Sequence, residues 1–162
     1  MACLFRTGET RSMTLSSTTQ SIIDRLELAP LPVCNGYFRE TWRDDHSTVI
    51  YWLMPATHRA GLHSAEYPEV YTYHAGTPLR FTLLYPNGEL TEALLGPDPA
   101  AGHHPHLIVP PGVWQAADPT GEYTLASVVV APPFRPDIVR TADAAELTRL
   151  HPRHAAAIRA LS

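Results

Sequence analysis

The chain has 162 residues, enough for one domain with a substantial buried core. Its formal charge of −4 gives no basic footprint for nucleic acid. No apolar run approaches the ~20 residues that would cross a bilayer, so a membrane partner is not expected either. All twelve basic residues are Arg, which removes Lys-based Schiff-base chemistry and, with the abundant Ala and Pro, suggests a GC-rich genome. Cys3 and Cys34 are too few for a disulfide framework and lack metal-type spacing, which fits a reduced, cytoplasmic setting.

Met1–Leu15 lacks the long apolar core of a secretory signal and reads as a mobile tail, leaving residues 16–162 as a single domain. Thr18–Leu28 carries Ile22, Ile23, Leu26 and Leu28, the pattern of a short amphipathic helix that Ala29-Pro30-Leu31-Pro32 ends. From Tyr37 onward short apolar runs alternate with turn signals. The expected strands are Tyr37–Arg43, Thr48–Met54, Val70–His74, Leu79–Tyr85, Leu90–Leu95, Leu107–Val109, Val113–Ala117 and Tyr123–Val130. Pro86-Asn87-Gly88 is the clearest hairpin turn. About eight or nine strands at this spacing predict an all-β sandwich or barrel. Ala142–Leu161 has helical composition interrupted near His151-Pro152, predicting two short helices on the outside of the β structure.

Two motifs stand out. His63, Glu69 and Gly76 follow the spacing His-x-His-x-x-x-Glu, six residues, Gly, with Ala65 in the second His position. Pro110 and Gly112 follow Pro-x-Gly-x-x-His, with Gln115 in the His position. These resemble the paired motifs of the cupin superfamily, a small β-barrel that holds a metal or a substrate in its mouth. Gly36-Tyr37-Phe38-Arg39-Glu40-Thr41, Ala75-Gly76-Thr77-Pro78-Leu79, Leu95-Gly96-Pro97-Asp98 and Val109–Ala117 narrow the resemblance to one subgroup, cupin family 5. That resemblance implies a single jelly-roll type barrel with a short N-terminal helix and C-terminal helices. It also implies that Gln115 is a subgroup feature, because Trp-Gln replaces the usual His there. One stretch departs from the subgroup, which reads His-Pro-Glu-Gly-Gly where this chain has Pro32-Val33-Cys34-Asn35-Gly36. Pro32 replaces a His and Cys34 an acid, which points to a changed substrate or reaction.

Side chains alternate along a strand, so an inward Glu69 brings Tyr71 and Tyr73 to the same wall. His63 and Glu69 are the candidate catalytic residues, an imidazole titrating near neutrality beside a carboxylate whose pKa burial would raise. The alternative is a buried hydrogen-bonded pair that only braces the barrel mouth. Tyr71, Tyr73, Gln115, Arg39 and Tyr51 complete the expected substrate-binding set, with Tyr51 preferred over Trp52 for the cavity side. Arg39 suits a carboxylate or phosphate clamp, or equally an exposed ion pair. Trp114, next to inward Gln115, is expected between the barrel and a partner subunit of a homodimer.

No cofactor is expected. The alternative is one divalent transition metal (Fe, Mn, Ni or Zn) on His63, Glu69 and Gln115, a weak set because an amide oxygen is a poor donor for the later metals. His103-His104-Pro105-His106 reads as a solvated loop, and Cys34 as an inert buried thiol rather than a nucleophile. The expected function is a metal-independent acid–base isomerase, epimerase or cyclase of specialised metabolism, acting on a small molecule. A metal-dependent dioxygenase or isomerase and a non-catalytic ligand-binding cupin are the alternatives.

Overall fold

A computed structural model of the chain describes residues 14–32 and 34–162. The expected tail over Met1–Leu15 therefore lies outside the described residues except for Thr14 and Leu15. Helix α1 spans Ser17–Leu26. The Ser16 hydroxyl caps it by accepting from the Thr19 N–H at 3.0 Å. Glu27 turns left-handed at φ 54° and the Leu28 N–H returns to the Ile23 carbonyl, so the helix stops two residues earlier than its apolar pattern. Ile23 and Leu28 are buried against Leu53, which anchors α1 on the β structure.

Twelve strands follow: β1 (Ala29–Pro30), β2 (Tyr37–Arg43), β3 (Thr48–Pro55), β4 (Ala60–Ala65), β5 (Glu69–Gly76), β6 (Leu79–Leu84), β7 (Leu90–Leu95), β8 (His103–His104), β9 (His106–Val109), β10 (Trp114–Pro119), β11 (Tyr123–Val130) and β12 (Val139–Thr141). They form two six-stranded sheets, ordered β1-β2-β3-β11-β5-β9 and β12-β4-β10-β6-β7-β8. All pairings are antiparallel except β7 with β8. One core joins the sheets face to face: Trp52, Tyr71, Val128 and Val130 from the first pack with Leu79, Phe81, Leu83 and Ala117 from the second. The protein is thus mostly β. The expected barrel takes the form of two facing sheets, each with its own hydrogen-bond ladder.

Four strands have no counterpart in the sequence pattern. The important one is β4, Ala-Gly-Leu-His-Ser-Ala, which lacks β-branched residues and has low strand propensity. It is strand because β10 and β12 hydrogen-bond to its two edges, a tertiary constraint that overrides local preference. At the other end of the chain, α2 (Ala144–Leu150) and α3 (Ala155–Leu161) flank a single 3-10 turn over Pro152–His154. Leu147 and Ile158 bury the outer face of the second sheet at Leu62, Leu84 and Ala116. No helix among the described residues is long and apolar enough to cross a membrane.

Gly76 closes β5 with φ +93°, and a Cβ there would collide with the Tyr123 carbonyl oxygen. Gly102 has a similar φ of +82° but open space around it. Gly76→Ala should therefore cost about 3 kcal/mol or more, and Gly102→Ala only about 1 kcal/mol. Thermal unfolding should separate them, with a Tm loss of roughly 8 °C against roughly 3 °C; equal losses would mean that close approach to Tyr123 is not what Gly76 provides.

Candidate active site

The site is assembled across the gap between the sheets. Glu69 opens β5 in the first sheet, held between Val130 of β11 and Val109 of β9. His63 on β4 and Gln115 on β10 are direct register partners in the second sheet. All three side chains are buried. The Gln115 Nε2 donates to Glu69 Oε2 in a short contact. The Tyr71 hydroxyl lies 3.1 Å from Gln115 Oε1 and 3.3 Å from Glu69 Oε2. With one proton to donate, it serves one of these acceptors at a time. Both bonds to the carboxylate fall on Oε2.

His63 has a defined tautomer. Its Nδ1 lies 2.8 Å from the Gly61 carbonyl oxygen, which can only accept, so Nδ1 carries the proton and the neutral ring keeps its lone pair on Nε2. That Nε2 is buried with no hydrogen-bond partner. Burial raises the Glu69 pKa, opposed first by the His63 charge and then by the bonds from Gln115 and Tyr71. Burial also holds the Tyr71 phenol well above its ordinary value, reinforced by the Glu69 charge.

His63 and Glu69 line one cavity of about 70 Å³. Its walls are aromatic and aliphatic: Phe38, Ile50, Trp52, Tyr71, Phe81, Val128, Val130 and Phe134. The Trp52 and Tyr71 rings are 5.7 Å apart and the Tyr71 and Phe81 rings 4.8 Å apart, each pair tilted, which makes one curved wall. Glu40 also lines the cavity but is exposed and paired with Arg43 at 2.7 Å. Arg43 Nη1 donates to the Phe134 carbonyl and the Phe134 N–H donates to Thr48 Oγ1, which ties the segment carrying Phe134 over the cavity.

The loop before β2 supplies the remaining side. Asn35 and Gly36 both have positive φ, 65° and 82°, and the Leu31 N–H bonds back to the Gly36 carbonyl. The Trp52 indole N–H donates to the Asn35 carbonyl at 3.0 Å, fixing loop to cavity wall. Cys34 faces the cavity from this loop. Burial, and then the Glu69 charge, push its thiol pKa up to about 12, so the group stays a protonated thiol at neutral pH.

Of the residues expected from the sequence, the structure brings His63, Glu69, Tyr71 and Gln115 together. Tyr73 is elsewhere: it does not line the cavity, and its hydroxyl donates to the Gly76 carbonyl at 2.7 Å. Alternation from Glu69 does hold through Tyr73, which packs against the same core cluster as Tyr71, but the ring lies beyond the cavity, toward the end of β5. Tyr51 packs with the α1 cluster while its neighbour Trp52 faces the cavity. Alternation alone could not choose between two adjacent aromatics. Arg39 is exposed and pairs with Glu27 at 2.8 Å, outside the cavity. Trp114 packs beneath the C-terminal helices with the Arg140 guanidinium 5.7 Å from its ring centroid. His103 and His104 form the short strand β8 rather than a loop, and the His103 Nδ1 accepts from the Asp98 N–H. Among the cavity residues that sequence reasoning missed are Phe38 and Glu40 on β2, Phe81 on β6 and Phe134 after β11; these three segments carry no common motif.

The fold and this two-sheet site define a cupin. The family described as Cupin superfamily (DUF985) matches residues 20–142, and the chain belongs to it. A search of curated proteins found no match. Among solved structures, a hypothetical protein from Leishmania major is 26% identical with a TM-score of 0.81, the match covering 88% of this chain and 97% of that one. A Shewanella oneidensis protein is 29% identical at the same TM-score, over 88% and 96% of the two chains. Oxalate decarboxylase from Bacillus subtilis shares the fold at 12% identity and TM-score 0.59, over 85% of this chain and 37% of its own.

The four-ligand form of the cupin motifs implies a metal. Here the imidazole Nε2 is free to ligate, but Ala65 replaces the second His. The Gln115 amide turns its nitrogen to Glu69 and its oxygen to Tyr71. Among the described residues no group of three or more His, Cys, Asp or Glu side chains is placed to hold a metal ion. One imidazole and one carboxylate oxygen are a poor fit for zinc or the later transition metals, which take three or four such donors.

Gln115→Leu would leave Glu69 and Tyr71 buried without this partner and should cost about 2–3 kcal/mol in urea denaturation, against about 1 kcal/mol for Tyr71→Phe. A cost under about 0.5 kcal/mol would show that the bridge adds no stability. The raised Glu69 pKa also gives a sign. The folded state favours the protonated carboxyl, so this contribution is complete below the unfolded pKa and is lost as pH rises through the folded one. Wild type should therefore lose stability relative to Glu69→Gln as pH rises above the ordinary carboxyl value of 4.5, and a difference that stays constant with pH would contradict the raised pKa.

Proposed function

We propose that this cupin is a small-molecule enzyme that moves a proton in its cavity without an essential metal. The observation carrying this reading is the His63 Nε2, a buried lone pair without a partner, in the same cavity as the Glu69 carboxylate. In this reading His63 Nε2 takes a proton from a carbon next to a carbonyl or imine. The C–H electron pair moves into the adjoining double bond, and the proton returns at the same or a neighbouring carbon. Glu69 stabilises the imidazolium between the two steps, and burial, which raises its pKa, makes it a better proton acceptor than an ordinary carboxylate. Tyr71 and Gln115 hold Glu69, while the aromatic wall excludes water from the carbanionic stage. Isomerisation, epimerisation and cyclisation are the reaction types this serves. The two facing sheets are read as the jelly-roll form of the barrel, with the reaction at its mouth.

A second reading is non-catalytic ligand binding, favoured by a wall that is almost wholly apolar around one titratable pair. One experiment separates the two. Candidate carbonyl compounds and amines are incubated with the full chain in D2O, and exchange at carbon is followed by NMR. The enzyme reading expects deuterium incorporation that falls about 10²- to 10⁴-fold in His63→Ala and in Glu69→Gln. Undiminished exchange in both variants sinks it, and saturable binding without any exchange supports the binding module. Loss of exchange on chelation, restored by a divalent metal, would establish the metal-dependent alternative instead.

A further inference from the structure

We propose that the cavity selects a small organic ammonium, whose N–H groups donate to Glu69 and whose apolar body rests on the Trp52–Tyr71–Phe81 wall. This rests on the reading of the cavity as the substrate site and names its ligand class. Three independent features point the same way.

The first is the balance of donors and acceptors. Glu69 Oε2 already takes the bonds from Gln115 and Tyr71, so Oε1 is the oxygen left for a ligand. The His63 tautomer turns a second acceptor, Nε2, to the same space without a partner. The Cys34 thiol, also on the lining, is a weak donor, and the Thr48 hydroxyl there is engaged by the Phe134 N–H. Two buried acceptors call for a ligand that brings donors, and an ammonium brings up to three.

The second feature is charge. No Arg lines the cavity, and the chain has no Lys. The two charged side chains among the lining residues are both carboxylates, Glu69 at the buried end and Glu40 at the exposed end, the latter neutralised by Arg43. With the His63 ring neutral, as its free acceptor requires, a carboxylate or phosphate ligand would meet Glu69 without a compensating cation and would be repelled. A cation would compensate the one buried carboxylate.

The third feature is the wall. Phe38, Trp52, Tyr71, Phe81 and Phe134 surround the carboxylate. Aromatic faces attract an organic cation through the ring quadrupole, most strongly when water is excluded. Aromatic rings with one carboxylate discriminate ammonium from a neutral isostere. Aliphatic side chains in the same places would not.

The test uses three ligands of matched shape, isobutylamine, isobutanol and isobutyrate, titrated by NMR into the full chain near pH 7. Isobutylamine should bind at least about 10-fold tighter than isobutanol, and isobutyrate should show no saturable binding. Glu69→Gln keeps an acceptor for Gln115 and should bring the amine and alcohol to within about 2-fold of each other. Phe81→Leu, which leaves the carboxylate in place, should weaken the amine about 3-fold or more and leave the alcohol nearly unchanged. Binding of isobutyrate as tight as that of the amine overturns the proposal. So does an amine preference that survives in Glu69→Gln, or absence of saturable binding by the amine up to about 50 mM. The outcome is separable from the catalytic reading. His63-dependent exchange with a carboxylate preference would remove the ligand class alone. Amine selectivity without exchange would remove the catalysis alone.

Discussion

The buried carboxylate of Glu69 is the constraint around which the rest of the structure is arranged. A carboxylate between two sheets, in an apolar core, loses its water and must find hydrogen bonds within the protein. The partners come from both sides of the gap: Tyr71 from the strand of Glu69 itself, Gln115 from the opposite sheet. Gln115 suits this role because its amide offers a donor to the carboxylate and an acceptor to the phenol at once. A His in that position could face both only by sharing its ring nitrogens between them, and a Leu could face neither. The bridge fixes the spacing of the sheets where the cavity opens, so the polar cluster that sets the chemistry also sets the geometry.

That dependence explains why the end of the loop at Asn35 and Gly36 is so tightly made. Two successive positive φ angles, the Leu31–Gly36 bond and the indole bond from Trp52 to the Asn35 carbonyl leave the loop little freedom. A Cβ at Gly36 would stand 2.6 Å from the Leu53 carbonyl oxygen, so the close approach of loop to β3 requires glycine there. Asn35 adds a bond from Nδ2 to the Arg59 carbonyl, which couples the loop to the turn before β4 and thus to His63. Asn35 and Gly36 are thus well anchored, and Cys34 beside them presents a neutral thiol to the cavity wall.

Much of this was legible in the sequence because motif spacing encodes register. The intervals from His63 to Glu69 to Gly76, and from Pro110 to Gln115, place three of the site residues without any structure, and strand alternation from Glu69 adds Tyr71. Three strands and the division of the C-terminal helices near His151-Pro152 follow the apolar pattern closely. What the sequence hid is whatever depends on contacts between distant segments. Strand β4 has poor local propensity and exists through its two neighbours. The inward choice of Trp52 over Tyr51 depends on which face α1 covers. Tyr73 shares the core face with Tyr71, yet how far along β5 the cavity reaches is not written in the alternation, and Phe38, Phe81 and Phe134 become neighbours only after the sheets close on each other.

The thiol at position 34 gains its meaning from the same carboxylate. The family resemblance leads one to expect an acid there, and an acid would face Glu69 across a small apolar cavity. Two carboxylates in that setting cannot both ionise, so one would hold a proton and the pair would titrate together. Cys34 ends that competition: its pKa, pushed to about 12, keeps it neutral across the working range, and the Glu69 charge contributes to holding it there. That leaves Glu69 and His63 as the buried acid and base on the lining, one carboxyl and one imidazole whose Nε2 has no partner. A site with two exchanging acids can donate and accept at opposite ends of a substrate; a site with one acid and one base favours moving a single proton over a short distance. A thiol in this place fills the wall while carrying no charge that the core must solvate.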